Sequence, residues 1–170
     1  MIFVTVGTHE QAFDRLLECV DQLKESGSIK EDVVVQTGYS NYHPVYCSWE
    51  PFFTYEEMEQ YIEEAHIVIT HGGPSSIFMC LERGKVPVVV PRQAKYREHV
   101  NDHQVSFCDA MIHRQMAILV AKEMDELKEI IIDYDSFARK TKGHFEHNNQ
   151  QFCQSLSELI KEMDEVDHDS

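Results

Sequence analysis

HIVITHGGPSS, at residues 66–76, decides the fold of this chain. The stretch joins a run of β-branched apolar residues to two glycines, a proline and two serines. A short apolar run that ends in glycine is typical of a buried strand, and Pro74 suits the first turn of a helix. The glycines also let the backbone approach a ligand closely. The stretch therefore predicts a strand, a tight polar turn and a helix.

The same alternation continues on both sides of this stretch. Apolar runs predict strands at residues 2–6, 32–37, 66–70, 86–90 and 116–120, with a further short strand around 45–47. Helical spacing predicts helices from Gln11 to the Ser26-Gly27 stop, over 55–64, 75–83 and 101–113, and again beyond Asp125. Continuous Val/Ile strands that alternate with helices indicate a parallel sheet covered on both faces. We therefore predict an α/β fold with a Rossmann-like, doubly wound, mostly parallel sheet.

Length and composition fit one globular domain. The 170 residues are 42 % hydrophobic and 10 % aromatic, which is enough for a packed core. We expect a nucleotide-binding Rossmann-like domain over residues 1–122 and helices over 123–170 that pack on the same domain before an acidic, frayed end. An apolar stripe in the tail fits packing on the chain's own sheet better than docking to a partner; it comprises Phe152, Leu156, Leu159, Ile160 and Met163.

Charge and cysteine usage restrict the partners and the compartment. A net charge of −15 repels phosphate backbones and anionic headgroups, so nucleic acid and bare membrane are not expected partners. The acidity otherwise serves solubility. Five scattered cysteines without a CxxC pair predict reduced thiols. The start MIFVTVGTHE lacks the features of a signal peptide, and no apolar run approaches the roughly 20 residues that span a bilayer. We expect a cytoplasmic protein that reaches a membrane only through another protein.

Polar clusters follow three predicted strands, at the sheet edge where open parallel sheets bind ligands. They are Gly7-Thr8-His9-Glu10-Gln11, Gly38, and His71-Gly72-Gly73-Pro74-Ser75-Ser76. In the third cluster, free amides and the helix dipole favour an anion such as a diphosphate. Neither GK[ST] nor GxGxxG is present, which disfavours ATP and NAD. The alternative is that HGGPSS only makes a tight turn.

Residues 70–104, THGGPSSIFMCLERGKVPVVVPRQAKYREHVNDHQ, closely resemble the donor-binding region of glycosyltransferase family 28. VGTHEQAF at residues 6–13 resembles the opening of the family's bacterial branch, which serves capsule and exopolysaccharide synthesis. The resemblance covers Met1 to about His113. It implies the C-terminal half of a GT-B enzyme, which binds a UDP-sugar and inverts at the anomeric carbon without a cofactor or a bound metal.

The resemblance also assigns roles to individual residues. Gly72, Gly73, Ser75 and Ser76 would cradle the diphosphate, with Gly7 and Thr8 bordering it. His103 and Gln104 would reach sugar hydroxyls, and Arg92 would set the uracil or phosphate side of the pocket. Many relatives have a ribose-binding glutamate where this chain has Met79, so ribose recognition departs from the family pattern. Glu82 lies one helical turn later.

Several residues could act as the base that an inverting transfer requires. His9 fits a base, a phosphate contact or an exposed loop histidine. Glu10 fits a base or a helix cap. His71 fits a residue that orders the turn, and the partner could also supply the base. Three histidine pairs have suggestive spacings (66 and 71, 99 and 103, 144 and 147), but no HExxH or Cys/His cluster supports a metal. The aromatic loop over 39–53 fits either a cover for the sheet edge or a partner contact.

One Rossmann-like domain is half of a GT-B enzyme, so the acceptor half must come from elsewhere. The resemblance implies a membrane-anchored, acceptor-binding subunit that recruits this chain to the inner face of the plasma membrane. The expected reaction moves a hexose, with galactose or glucuronic acid favoured and N-acetylglucosamine third, to a lipid-linked saccharide. The alternatives are a non-catalytic scaffold subunit and an unrelated flavodoxin-like nucleotide-binding module. A homodimer is a further expectation for the isolated chain.

Overall fold

Six parallel strands form a single sheet in the computed structural model, which describes residues 1–146 together with Glu158 and Lys161. The strands are β1 (Ile2–Thr5), β2 (Val33–Gln36), β3 (Ser48–Glu50), β4 (Ile67–His71), β5 (Val88–Val90) and β6 (Leu119–Val120). Their spatial order is β3-β2-β1-β4-β5-β6. This is the Rossmann order, which reverses direction between β1 and β4, and it differs from the flavodoxin order. The predicted α/β fold is confirmed.

Six α-helices connect and cover the strands of the described part. They are α1 (Asp14–Glu25), α2 (Tyr55–Glu64), α3 (Pro74–Glu82), α4 (His103–His113), α5 (Met124–Ile132) and α6 (Tyr134–Glu146). A short 3-10 helix, Ala94–Tyr96, precedes α4. Helix α1 begins three residues after the predicted Gln11, because residues 7–13 form a polar loop at the end of β1.

Successive residues of the central strands point to opposite faces of the sheet, so alternate residues pack into two different hydrophobic cores. Val4 and Ile69 face the layer of α1 and α5, where they join Leu16 and Leu127. Phe3 and Val68 face the opposite layer, with Ile62 of α2. The helices therefore protect both faces, and only the strand ends remain available for a site.

The edge strand β3 lies three residues beyond its predicted position at 45–47. The preceding loop is held by Asp21 of α1, whose carboxylate accepts hydrogen bonds from the Tyr42 hydroxyl and from the amides of Val45 and Tyr46, at 2.7–2.9 Å. Burial opposes ionisation of Asp21, but these hydrogen bonds outweigh it and lower its pKa. Part of the aromatic loop covers the sheet edge, since Tyr42 and Trp49 pack on the core, whereas Tyr39 and Phe52 are exposed.

Four of the cysteines are free and buried, as expected for reduced thiols: Cys19, Cys47, Cys80 and Cys108. Helix α5 packs against α1 and β5, and α6 against α5 and β6. The predicted apolar stripe of the tail lies outside the described residues. Within residues 1–146, no helix has the length and apolar character that crossing a bilayer requires.

Candidate functional site

The polar loops that follow β1, β4 and β5 meet at one edge of the sheet, beside the reversal of strand order. Gly7 lies two residues after the end of β1, with a φ of +75°, a conformation that favours glycine, and its amide donates to Thr5 Oγ1 at 3.2 Å. Beyond it, Thr8 and Glu10 are exposed and His9 is half-buried. Glu10 lies four residues before α1, so it does not cap that helix.

The loop after β4 leads into α3 without a side-chain cap. Gly73 is the N-cap residue, Pro74 begins the helix, and no side chain of the described residues bonds to the first turn. Ser75 is exposed and Ser76 is half-buried on that turn. The start of an α-helix has unpaired amides and a partial positive charge. This turn is therefore open to an anion.

His71 is packed between the two glycine loops. A β-carbon on Gly7 or on Gly73 would overlap its imidazole ring. Burial, together with the charge of Arg92, lowers the pKa of His71 to about 3. The ring is therefore neutral at physiological pH and only 8 % exposed. Its position agrees with the interpretation that His71 orders the turn.

Arg92 lies in the interior, beneath the loops that follow β1 and β5. Its side chain is fully buried, and its guanidinium donates to the carbonyls of Val6 (2.7 Å), Gln11 (2.7 Å) and Glu98 (3.0 Å). Burial lowers its pKa to about 10, although the Glu98 carboxylate opposes the shift. The guanidinium faces backbone carbonyls of the interior and ties the loop after β5 to the loop after β1.

Gln104 also links two loops at this edge, the one after β4 and the one after β5. Its Oε1 accepts hydrogen bonds from the amides of Gly72 (3.0 Å) and Arg92 (2.9 Å). Only its Nε2 is left for the sugar contact expected from the sequence. His103, the first residue of α4, is exposed, and its amide donates to Asn101 Oδ1 at 3.0 Å.

Gly38 and Gln11 support the loop after β1 from either side. A β-carbon on Gly38 would lie 2.7 Å from the Gly7 carbonyl oxygen, so only glycine allows this approach. The Gln11 side chain donates to the Arg97 carbonyl at 3.4 Å, while its Oε1 is buried without a partner in the described structure. Both residues therefore shape the loop.

Sequence reasoning paired His99 only with His103, but in the structure its ring packs against His9, with ring centroids 4.5 Å apart and ring planes tilted by 38°. The loop that carries His99 is fixed by Glu98, a buried carboxylate that accepts two hydrogen bonds from Arg15 (2.7 and 3.0 Å) and one from the Gln93 amide. His99 lies within the stretch 70–104 that resembles the family, but spacing alone did not place it beside His9.

In residues 1–146, no three His, Cys, Asp or Glu side chains are arranged to hold a metal ion. Of the predicted histidine pairs, His66 and His71 lie at opposite ends of β4. Met79 is half-buried and packs against the core around Phe3.

These loops surround an uncapped helix start at the switch point of a Rossmann sheet, as in nucleotide-binding domains. The family model for the C-terminal domain of glycosyltransferase family 28 matches residues 1–163. The chain belongs to this family.

A curated human relative and several solved structures resemble this family 28 domain. The UDP-N-acetylglucosamine transferase subunit ALG13 of Homo sapiens is 32 % identical over 123 residues. The match covers 67 % of this chain and 10 % of that protein, so the chain spans about a tenth of the relative's length.

The similar structures are larger glycosyltransferases. The glycosyltransferase of kitacinnamycin matches with a TM-score of 0.56 and 14 % identity, over 98 % of this chain and 42 % of that one. SnogD from Streptomyces nogalater has a TM-score of 0.51 and 16 % identity, over 93 % and 40 %. CalG4, the calicheamicin glycosyltransferase, has a TM-score of 0.54 and 13 % identity, over 98 % and 42 %. At these identities the likeness concerns the fold, which is that of one half of a GT-B enzyme.

Proposed function

We propose that this chain is the donor-binding catalytic subunit of an inverting glycosyltransferase. It moves a hexose, with galactose or glucuronic acid favoured, from a UDP-sugar to a lipid-linked saccharide in surface polysaccharide synthesis. The observation that carries the proposal is the uncapped start of α3 beside His71, Gly72 and Gly73. Family membership supports the choice of a sugar nucleotide over other anions.

The diphosphate of the donor sits against the first turn of α3, where the amides of Ser75 and Ser76 and their hydroxyls donate to it. Thr8 borders it from the loop after β1, and Gly7 and Gly73 leave room for the His71 ring that holds the two loops together. As the bond to the sugar breaks, negative charge grows on the departing UDP. Preorganised donors and the helix dipole stabilise that charge most where it develops.

Glu10 is the proposed general base for the acceptor hydroxyl. It is exposed at the tip of the loop after β1 and has no hydrogen-bond partner in the described structure. His9 suits this role less well, because its Nδ1 already accepts the amide hydrogen of Gln11 at 3.1 Å. A neutral ring in that arrangement carries its proton on Nε2, so the outer nitrogen donates a hydrogen bond.

The acceptor half of the enzyme is a membrane-anchored partner subunit, which brings this chain to the inner face of the plasma membrane. A GT-B active site lies between two Rossmann-like domains, and the described residues form one. The carboxyl edge of the sheet, with Glu10 and the exposed Tyr39 and Phe52, faces this partner. In its absence, the same edge pairs two copies of the chain.

The test is sugar transfer in membranes from source cells that lack this chain. UDP-[14C]galactose, UDP-[14C]glucuronic acid and UDP-[14C]N-acetylglucosamine are supplied in turn, and label in the lipid fraction is counted. Added wild-type chain should restore transfer from one donor. A Glu10→Gln chain should bind the membranes and remain inactive. If wild-type chain binds the membranes yet no donor supports transfer, the scaffold alternative replaces the catalytic one.

A further inference from the structure

Two histidines, His9 and His99, lie in contact at the carboxyl edge of the sheet, and the proposed function gives neither of them a role in catalysis or binding. His9 belongs to the loop after β1, and His99 to the loop between β5 and α4. Their ring centroids lie 4.5 Å apart, and both residues are half-buried. Two histidines in contact from separate loops need a physical reason, because two protonated rings at this distance would repel each other.

Both rings use the same nitrogen in the same way. His9 Nδ1 accepts the Gln11 amide hydrogen at 3.1 Å, and His99 Nδ1 accepts the Asn101 amide hydrogen at 3.4 Å, each two residues further along the chain. A nitrogen that accepts a hydrogen bond carries the lone pair, so the proton of each neutral ring lies on Nε2. Neither Nε2 has a partner among the described residues. The pair therefore presents two free N–H donors.

The surroundings keep the pair neutral. Burial, followed by the charge of Arg92, lowers the pKa of His9, and Glu10 raises it in part. Burial lowers the pKa of His99 too, with further contributions from the charges of His9, Arg92 and His103, while a hydrogen bond with the Asn101 side chain raises it in part. His9 lies two residues after Gly7, where a β-carbon would overlap the His71 ring. The pair therefore shares this edge of the sheet with the His71-Gly72-Gly73 turn.

The positions of both loops are fixed in advance. Arg92 donates to carbonyls on both of them, at Gln11 and Glu98. Arg15 at the start of α1 donates two hydrogen bonds to the Glu98 carboxylate. Donors held in place by one ion pair and by the hydrogen bonds of Arg92 lose little entropy when a ligand binds.

We propose that His99, paired with His9, binds a phosphate oxygen of the nucleotide diphosphate through its Nε2–H group. This inference rests on the proposed function, since it names a further ligand-binding residue of the same site. The helix start supplies donors to one side of the diphosphate, and the histidine pair supplies donors from the other loops. Both rings act as donors, so neither serves as the base.

The test is calorimetric titration of the chain with UDP, uridine and inorganic phosphate. His99→Phe keeps a ring for stacking but removes the donor, and should weaken UDP binding about tenfold, the effect of one hydrogen bond to a charged group. Uridine binding should not change. His99→Gln places an N–H group near the position of Nε2 and should retain most of the UDP affinity. His113→Phe, an exposed residue at the far end of α4, is the matched control and should bind as wild type.

Wild-type affinity for UDP in His99→Phe would overturn the inference and leave the proposed function intact. A wild-type chain that binds no uridine nucleotide, alone or with membranes, would overturn the proposed function itself. The tautomer gives a measurement that does not depend on any variant folding. Nitrogen-15 spectra of the wild-type imidazoles should show Nε2–H at His9 and His99, and Nδ1–H at His99 would contradict the proposal.

Discussion

A β-carbon on Gly7 would lie 2.5 Å from Cε1 of His71, so the imidazole fills the space of a side chain at residue 7. Gly73 approaches the same ring from the other loop, and a β-carbon there would also overlap it. The glycines of the two motifs therefore have a shared physical purpose. They accommodate one buried, neutral histidine that fixes the distance between the loops.

Gly73→Ala tests this packing, because the φ of −75° at Gly73 is ordinary for any residue and leaves only the overlap with His71. Overpacking of this kind destabilises by about 1–3 kcal/mol, measured by urea unfolding. Combining it with His71→Ala should cost less than the sum of the single changes. Ser75→Ala, on the same turn but exposed, should unfold like the wild type. Additive costs would contradict the packing account.

Arg92→Met tests whether Arg92 is a structural tie. The substitution leaves the carbonyls of Val6, Gln11 and Glu98 without their buried donor, and we expect a loss of about 3–5 kcal/mol in the free energy of unfolding. Arg92→Lys should restore only part of the lost stability, since one ammonium group cannot reach all three carbonyls as the planar guanidinium does. If Arg92→Met unfolds like the wild type and loses only UDP binding, Arg92 contacts the ligand after all.

Because the pKa of His71 is lowered in the folded state, the free energy of unfolding should decrease as the pH falls. The folded pKa is about 3, below the ordinary value of 6.5, so only the unfolded chain takes up a proton between these values. The free energy of unfolding should drop by about 1.4 kcal/mol per pH unit over that window. His71→Gln removes this contribution, so its urea midpoint should change less between pH 7.5 and 5 than that of the wild type. Equal slopes would mean that the ring is protonated in the fold.

His66 should stabilise the fold in acid, which is the opposite of the effect of His71. Asp135 and Glu31 accept hydrogen bonds from its ring at 2.8 and 2.7 Å and raise its pKa. The contribution of His66 to the free energy of unfolding is then complete below the pKa of 6.5 in the unfolded chain. It is lost as the pH rises through the higher pKa of the folded state. In His66→Gln, stability should therefore fall more steeply on acidification than in the wild type. Lys128→Gln, on the exposed side of α5, provides a control that should keep the wild-type slope.

Asp21→Asn should loosen the aromatic loop while preserving the size of the side chain. The amide has one acceptor oxygen in place of two, so hydrogen bonds from Tyr42, Val45 and Tyr46 cannot all remain, at a cost of about 1–3 kcal/mol. The only tryptophan of the chain, Trp49, stacks on His43 at 4.6 Å in β3, and its emission should shift to the red. Glu25→Gln, which affects only the exposed Tyr46 hydroxyl, should leave the emission unchanged.

The sequence predicted the central strands well because their β-branched runs are continuous and are followed by glycine or, after β5, by Pro91. It misplaced β3, because that strand is positioned by Asp21, a helix residue that looks like any other charge on α1. It placed Arg92 at the correct edge, but spacing cannot tell whether a guanidinium points outward to a ligand or inward to carbonyls. The contact of His99 was missed for a related reason: its partner His9 is 90 positions away in the sequence.

The most direct test of the central claim is calorimetric titration with UDP of Ser75→Glu and Ser75→Gln. A carboxylate on the first turn of α3 suits the helix dipole, so Ser75→Glu should be as stable as the wild type. Its negative charge should nevertheless repel a diphosphate bound there, whereas the neutral Gln variant has almost the same size. The account predicts UDP binding to the wild type and to Ser75→Gln, and none to Ser75→Glu. Equal binding by both variants would contradict a diphosphate site at the start of α3.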